Sequence, residues 1–384
     1  MNKRLLLTIS LIAFLSSGCS KPVDISSSDV SSVPLYGFAL KELGNEVNFH
    51  SELQQRYIDA TDYTTTMGIA SGSTAKEDPL PIEITWNTFG MFSDEILDQV
   101  TYQINLYEGD NALPFKTYTT SEKKIDIYNL KINTSYSYDV FAQYSDVGYK
   151  SPKSSFKTTS QGPRNLKAEN VMNIRDLGGH GIKQGLIYRS GRFNEKDGTT
   201  KITQNTIDVM LDDLKIKTEI DLRRDDESGG ISSSPLSSPD KESINYYHYP
   251  MYYGGENVLT HVGEHSGVSY DNPAEIKKFF DALADINNYP LVFHCAIGKD
   301  RTGCMAYLIE ALCGMEEEYL YRDYLFSNFA KISGMCEISD IDDKYGATIK
   351  EYEGNSLQEK TFNYLNKEIG VSVDNLNTIR SILM

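Results

Sequence analysis

The segment Pro290 to Gly314, PLVFHCAIGKDRTGCMAYLIEALCG, holds the residues whose types and spacing suit chemistry. Five residues separate Cys295 from Arg301, His294 precedes the Cys, and Thr302 follows the Arg. Leu291, Val292 and Phe293 read as a buried parallel strand, and Met305, Leu308, Ile309 and Leu312 as a helix. Strand, tight loop and helix in that order put the loop amides at a helix N-terminus, a ready anion site. An ordinary thiol titrates at about 8.5 and is a poor nucleophile while protonated. The loop amides, the helix end and the Arg301 guanidinium all favour the thiolate of Cys295. The same donors suit the non-bridging oxygens of a phosphate held along Ala296, Ile297, Gly298, Lys299, Arg301 and Thr302, with Arg301 as a two-pronged clamp. One loop would then bind a dianion, align phosphorus with sulfur and stabilise the transition-state charge. Thr302 can donate its hydroxyl to the departing sulfur, and Gly298 lets the backbone turn close to the phosphate.

His294-Cys295 followed by Arg301-Thr302 is the H-C-x5-R-[ST] signature, and the chain thereby resembles the protein tyrosine phosphatase superfamily. Three further blocks narrow this: NIRDLGG at Asn173 to Gly179, LIYRSG at Leu186 to Gly191, and IDLRRDDE at Ile220 to Glu227. Together with GKDR in the loop they resemble the bacterial tyrosine phosphatase family over about residues 161 to 384, interrupted by a Ser-rich insertion from Ser228 to Ser243. The resemblance implies phosphomonoester hydrolysis through a phosphocysteine intermediate, with Cys295 as nucleophile, Arg301 as phosphate clamp, and neither metal nor organic cofactor. Phosphotyrosine protein is the leading substrate. Lys299 adds a second positive charge at the loop mouth and brings in phosphoinositide or inositol phosphate as an alternative; a non-catalytic surface-binding protein is the rival from another class.

The general acid is less determined. No W-P-D tripeptide occurs, and the family implies Asp300 within the loop, with Asp176, Asp221 and the acidic run at 225 to 227 as competitors. Asp176 and Asp221 read rather as orienting loop amides or arginines, and His294 as a hydrogen-bonding neighbour of Cys295. The remaining histidines, among them His180, His248, His261 and His265, show no ligand spacing, so no metal is expected. Gly254 to Gly267 reads as a loop over the cleft. Cys304, Cys313 and Cys336 read as packing residues, with a Cys313–Cys336 bridge left open.

The elements that must position this loop set the organisation of the chain. Ile207, Met210, Leu211 and Leu214, then Ile276, Phe279, Phe280 and Leu283 behind Pro273, recur at helical spacing, and Leu357 to Ile369 and Val373 to Leu383 close the chain as helices. Upstream, Ile82, Ile84 and Trp86, then Tyr102, Ile104 and Leu106, alternate as strands do. Leu130, Thr134, Tyr136, Val140 and Ala142 are similar to the L-x3-T-x-Y-x3-V-x-A run of fibronectin type III domains, whose Tyr closes a corner. The expected fold is therefore multidomain: an N-terminal all-β immunoglobulin-like (fibronectin type III) sandwich at 62–160, then an α/β protein tyrosine phosphatase-like domain at 161–384.

Lys3 and Arg4, the apolar stretch Leu5 to Leu15, and Ser16, Ser17, Gly18 before Cys19 resemble a bacterial lipoprotein signal. Residues 1–18 are then the signal peptide, Cys19 the lipidated residue, and 19–61 a tether with an unassigned segment. The expectation is an exported protein held to the bacterial envelope, periplasmic or on the cell surface, by its lipid anchor alone. A net charge of -17 argues against nucleic acid and anionic lipid as partners, leaving phosphorylated protein or a phosphorylated small molecule.

Overall fold

In the computed structural model the described residues are 37–61, 78–237, 243–255, 257–332 and 334–384. The expected signal peptide and Cys19 lie outside them. The chain divides into two compact units, one from 37–49 with 81–160, the other from 50–61 with 78–80 and 161–384.

The first unit holds β1 (Gly37–Leu40), β2 (Ile82–Phe89), β3 (Thr101–Glu108), β4 (Lys116–Thr120), β5 (Lys124–Ile127), β6 (Ser135–Tyr144), β7 (Val147–Lys150) and β8 (Ser154–Lys157). They form two antiparallel sheets, β1-β2-β5 and β4-β3-β6-β7, with β8 also on β6. Period-two alternation turns Ile82, Ile84 and Trp86 of one sheet and Tyr102, Ile104 and Leu106 of the other into one core. The Trp86 and Tyr102 rings meet edge to face at 5.3 Å. The Tyr136 hydroxyl accepts a 3.0 Å hydrogen bond from the Lys131 amide, closing the corner before β6.

The second unit begins with α1 (Glu52–Ile58), whose entry is sealed reciprocally: the Ser51 hydroxyl accepts from the Gln54 amide, and the Gln54 side chain accepts from the Ser51 amide. Strands β9 (Arg164–Asn165), β10 (Arg175–Asp176) and β11 (Ile187–Ser190) follow, then α2 (Gln204–Asp208), β12 (Thr218–Asp221), α3 (Asp225–Ser228), β13 (Asn245–His248) and the hairpin β14 (Val262–His265) with β15 (Val268–Asp271). Next come α4 (Asn272–Leu283), β16 (Leu291–His294), α5 (Asp300–Leu312) and α6 (Glu317–Phe326). The short α7 (Ile338–Asp340) and α8 (Gly346–Lys350) lead to α9 (Leu357–Asn363) and α10 (Val373–Leu383). The sheet order is β13-β12-β16-β11-β10-β9, parallel from β13 to β11 and antiparallel beyond. Central β16 is buried at every residue, as its unbroken apolar run requires. Helix α4 starts where Pro273 and the Asp271 cap place it, and buries Ile276, Phe279, Phe280 and Leu283. Helix α5 is buried from Arg301 to Leu312, so it runs through the core.

The sequence reading differs from this in three places. The unassigned part of 19–61, from residue 37 on, is divided between the two units. Gly37–Leu40 pairs along β2 as an edge strand, whereas residues 50–61 pack into the second unit, with Tyr57 fully buried and its hydroxyl donating to the Arg322 carbonyl at 2.8 Å. Residues 254–267 are not all loop: they run into the β14–β15 hairpin, and Asn272 pins the approach by bonding both polar groups of the Tyr252 backbone and the Val258 carbonyl. Cys304, Cys313 and Cys336 are buried free thiols, so no Cys313–Cys336 bridge forms. Burial pushes the Cys313 and Cys336 thiols up to about 12.

His50 of the second unit bonds the Pro163 carbonyl at 3.0 Å, and burial lowers it from 6.5 to about 4 against the pull of that carbonyl and of Asp59. A lowered base is protonated first in the unfolded chain, so its stability contribution is whole above about pH 6.5 and is lost as pH falls towards about 4. Replacing His50 by Gln is expected to remove up to about 3 kcal/mol of acid-induced loss in that window. Denaturant unfolding of both proteins at stepped pH checks this; parallel pH curves would refute it.

Candidate active site

Where β16 ends, the chain turns through Cys295–Lys299 and enters α5. His294 stands in register with Ser190 of β11 and Asp221 of β12, so the loop leaves the sheet at the carboxyl ends of three parallel strands, where open α/β sheets place ligands. Gly298 has φ +72°, and a Cβ there would lie 2.5 Å from the Ser190 carbonyl oxygen. Only a residue without a side chain lets the loop fold against β11.

The outward carbonyls of this loop are all caught. The Arg192 guanidinium donates to the Ala296 carbonyl at 3.2 Å, and the Asn173 side-chain amide donates to those of Ile297 at 3.3 Å and Gly298 at 2.8 Å. Arg189 donates to the Gly298 carbonyl from another side, also at 2.8 Å. A trans peptide is planar and its N–H opposes its C=O, so the amides of Ile297, Gly298 and Lys299 face the other way, into the loop. From Ala296 to Thr302 no backbone N–H has an acceptor among the described residues. The first amides of a helix have none within it, and here the loop extends that set.

Cys295 sits in this ring, 1% exposed. Arg301 is 5% exposed and forks onto Glu227, 2.5 and 3.2 Å, while also donating to the Met251 carbonyl at 3.2 Å. Burial works against its charge, but the Cys295 sulfur and the Glu227 carboxylate outweigh it and raise the guanidinium. Despite burial, the bonds from Arg301 keep the Glu227 carboxyl below its usual range. The Thr302 hydroxyl is buried without a hydrogen-bond partner among the described residues. Asp300 opens α5, and burial raises its carboxyl against the pull of Lys299 and a hydrogen bond from Tyr253. Loop amides, Arg301, the Thr302 hydroxyl and a carboxyl raised by burial thus lie within the one segment that follows Cys295.

Other expected residues lie elsewhere. The Lys299 ammonium donates to the Met335 carbonyl and pairs with Asp340 at 3.7 Å and Asp300 at 3.9 Å, so its charge is turned away from the loop interior and only its backbone amide faces in. Asp176 accepts from the Gly178 and Gly185 amides, both at 2.7 Å, and from Arg164. Asp221 accepts from Arg223 and from the Tyr246 hydroxyl at 3.1 Å. Burial would raise Asp221, but His294 and Arg223 bring it to about 2, which ill suits an acid. His294 bonds the Glu219 carboxylate at 2.8 Å and the Cys295 carbonyl at 3.3 Å. Glu219, Asp221 and His294 gather within 4.8 Å, but Ser234, Arg223, Tyr246 and the imidazole already occupy the carboxylate oxygens.

Sequence reasoning quoted the Asn173 and Arg189 blocks without seeing that they hold loop carbonyls, and missed Glu219, Tyr253 and Asp323. Asp323 in YLYRDYLF sits among residues buried on every side, and a charge in so apolar a stripe was the available signal.

Gly298→Ala is expected to cost at least about 2 kcal/mol, since it adds both the contact with Ser190 and a left-handed backbone at a non-glycine residue. Thermal unfolding reads this, and an unchanged transition would mean the loop does not pack against β11 as described.

The chain is 24% identical over 203 residues, 46% of this chain and 68% of the other, to a Cupriavidus necator protein described as a tyrosine-protein phosphatase. Similar solved structures include the core catalytic domain of the PP-IP phosphatase SIW14 from S. cerevisiae, at 19% identity and TM-score 0.28 over 49% of this chain and 93% of that one. Another is P. aeruginosa TpbA, at 16% identity and TM-score 0.28 over 55% and 91%. The model of the tyrosine phosphatase family matches residues 166–384, more than half of the chain and the whole stretch from the NIRDLGG block through the Cys295 loop. On that match the chain belongs to the tyrosine phosphatase family.

Proposed function

We propose that this protein hydrolyses phosphotyrosine in proteins through a phosphocysteine intermediate. The carrying observation is the run of acceptorless amides from Ala296 to Thr302 around Cys295, closed by Arg301. The Cys295 sulfur attacks phosphorus and the P–O ester bond breaks. The Asp300 carboxyl, raised by burial, gives its proton to the departing phenolic oxygen. Water then attacks the phosphocysteine, Asp300 takes up the water proton, and the Thr302 hydroxyl donates to the sulfur as inorganic phosphate leaves. Loop amides and Arg301 hold the equatorial oxygens in both steps.

A singly phosphorylated aryl ester fits better than a polyphosphorylated inositol head group, because the Lys299 ammonium is engaged by Met335 and Asp340. The β unit serves as a fibronectin type III-like spacer; the Tyr136 corner supports that reading. Lipidation at Cys19 would hold the protein to the bacterial envelope, periplasmic or on the cell surface, and labelling with a fatty acid that is lost in Cys19→Ser tests it.

Turnover of an activated aryl phosphate, a phosphotyrosine peptide and a soluble phosphoinositide decides the chemistry. The first two are expected to be hydrolysed, and Cys295→Ser to abolish turnover. Inertness of the folded wild-type protein towards all three would sink the proposal, and preference for the inositol lipid would sink the substrate assignment. Asp300 acts as an acid only below its own pKa, so the rate of ester cleavage should fall on the alkaline side. Asp300→Asn is expected to slow poor leaving groups by about a hundredfold, activated ones far less, and to flatten that alkaline limb. If Asp221→Asn does this instead, the acid is misassigned.

A further inference from the structure

We infer that Asp323 of α6 is a positioning residue of the phosphate site, setting through Arg189, and through Arg175 with Asn173, which way the peptide units at 297–299 face. The inference rests on the phosphatase reading above and adds a residue to it.

Arg175 and Arg189 are 1% and 0% exposed, and Arg189 is the second cause, after burial, that lowers Arg175. Asp323 meets both. Its carboxylate accepts from Arg175 Nε at 2.6 Å and from Arg189 at 2.5 Å, and its carbonyl takes a further Arg175 hydrogen at 2.7 Å. Ser327 completes the Arg175 shell at 3.0 Å. The two arginines hold the Asp323 carboxyl down in spite of its burial. The neighbouring carboxyl, Glu310, is pushed the opposite way by burial and by Asp323 itself.

The far ends of both arginines reach the loop. Arg189 donates to the Gly298 carbonyl; Arg175 donates to the Asn173 side-chain oxygen, leaving the Asn173 amide to bond the Ile297 and Gly298 carbonyls. One carboxylate therefore fixes the Gly298 carbonyl from two sides. A peptide unit released from this hold can rotate, and rotation would aim a carbonyl dipole at the bound dianion in place of an N–H. Two buried guanidiniums without a carboxylate in contact would separate or draw in water, and either displaces Arg189 from the loop.

The test compares oxyanion binding with access to the sulfur. Vanadate competition, KM for an aryl phosphate and the melting transition are measured for wild type, Asp323→Asn and Asn173→Gly. Asn173 has φ +57°, so glycine keeps its backbone and removes only the relay. Both variants are expected to melt cooperatively, to bind vanadate about tenfold or more weakly with a matching rise in KM, and to keep Cys295 alkylation by neutral iodoacetamide at about pH 9. A folded Asp323→Asn or Asn173→Gly with wild-type vanadate affinity overturns the inference. If Asp323→Asn does not fold, Asn173→Gly decides alone. Failure of the wild-type protein itself to bind vanadate would instead overturn the phosphatase reading.

Discussion

Everything in the second unit is arranged so that one short loop can keep its N–H groups unspent. Backbone donors buried in a protein interior normally find acceptors, and leaving them bare is costly. Here the cost falls on Ala296–Thr302, where the chain turns out of a central parallel strand into a buried helix, and where the carbonyls of the same peptides are taken by Asn173, Arg189 and Arg192. Securing the acceptor side of each peptide keeps the donor side pointed inward. The inward-facing amides follow from that constraint.

Holding the loop from behind requires cations, and burying cations requires anions. Arg164, Arg175, Arg189, Arg223 and Arg301 are all buried, and each meets a carboxylate: Asp176 for Arg164, Asp323 shared by Arg175 and Arg189, Asp221 for Arg223 and Glu227 for Arg301. Such pairs are weak as net stabilisers but strongly destabilising when broken, so they act as fixed spacers whose failure is expensive. Because guanidinium groups are planar and many-pronged, a single one can satisfy its carboxylate and still reach a loop carbonyl. The same logic explains why Glu227, rather than a solvent-facing acid, ends the DLRRDDE block: it forks Arg301 and fixes that guanidinium in place.

Much of this was legible in the residues. Cys295, Arg301 and Thr302 announce themselves because few other pairings of a thiol and a guanidinium at that spacing sit between a strand and a helix. The apolar stripes of α4 and the alternation of β2 and β3 also landed where period alone placed them, since burial of one face is a local property of the pattern. Lys299 is the instructive case. Its position in the loop suggested a charge at the mouth, yet Asp340 and the Met335 carbonyl, some forty residues on, draw it away. What Asp323 pairs with was out of reach for a related reason, because its partners come from β10 and β11.

The amino-acid order by itself determined the neighbourhood of Cys295 and the strand and helix on either side of it, because these depend on spacing within a few turns of chain. Which carboxylate faces which guanidinium, which loop carbonyls are restrained, and that residues 50–61 join the second unit while 37–49 join the first were decided only in three dimensions. The physical reason is that charge pairing and peptide orientation are set by long-range burial, where the partner of a buried ion is whatever the fold brings within hydrogen-bonding reach.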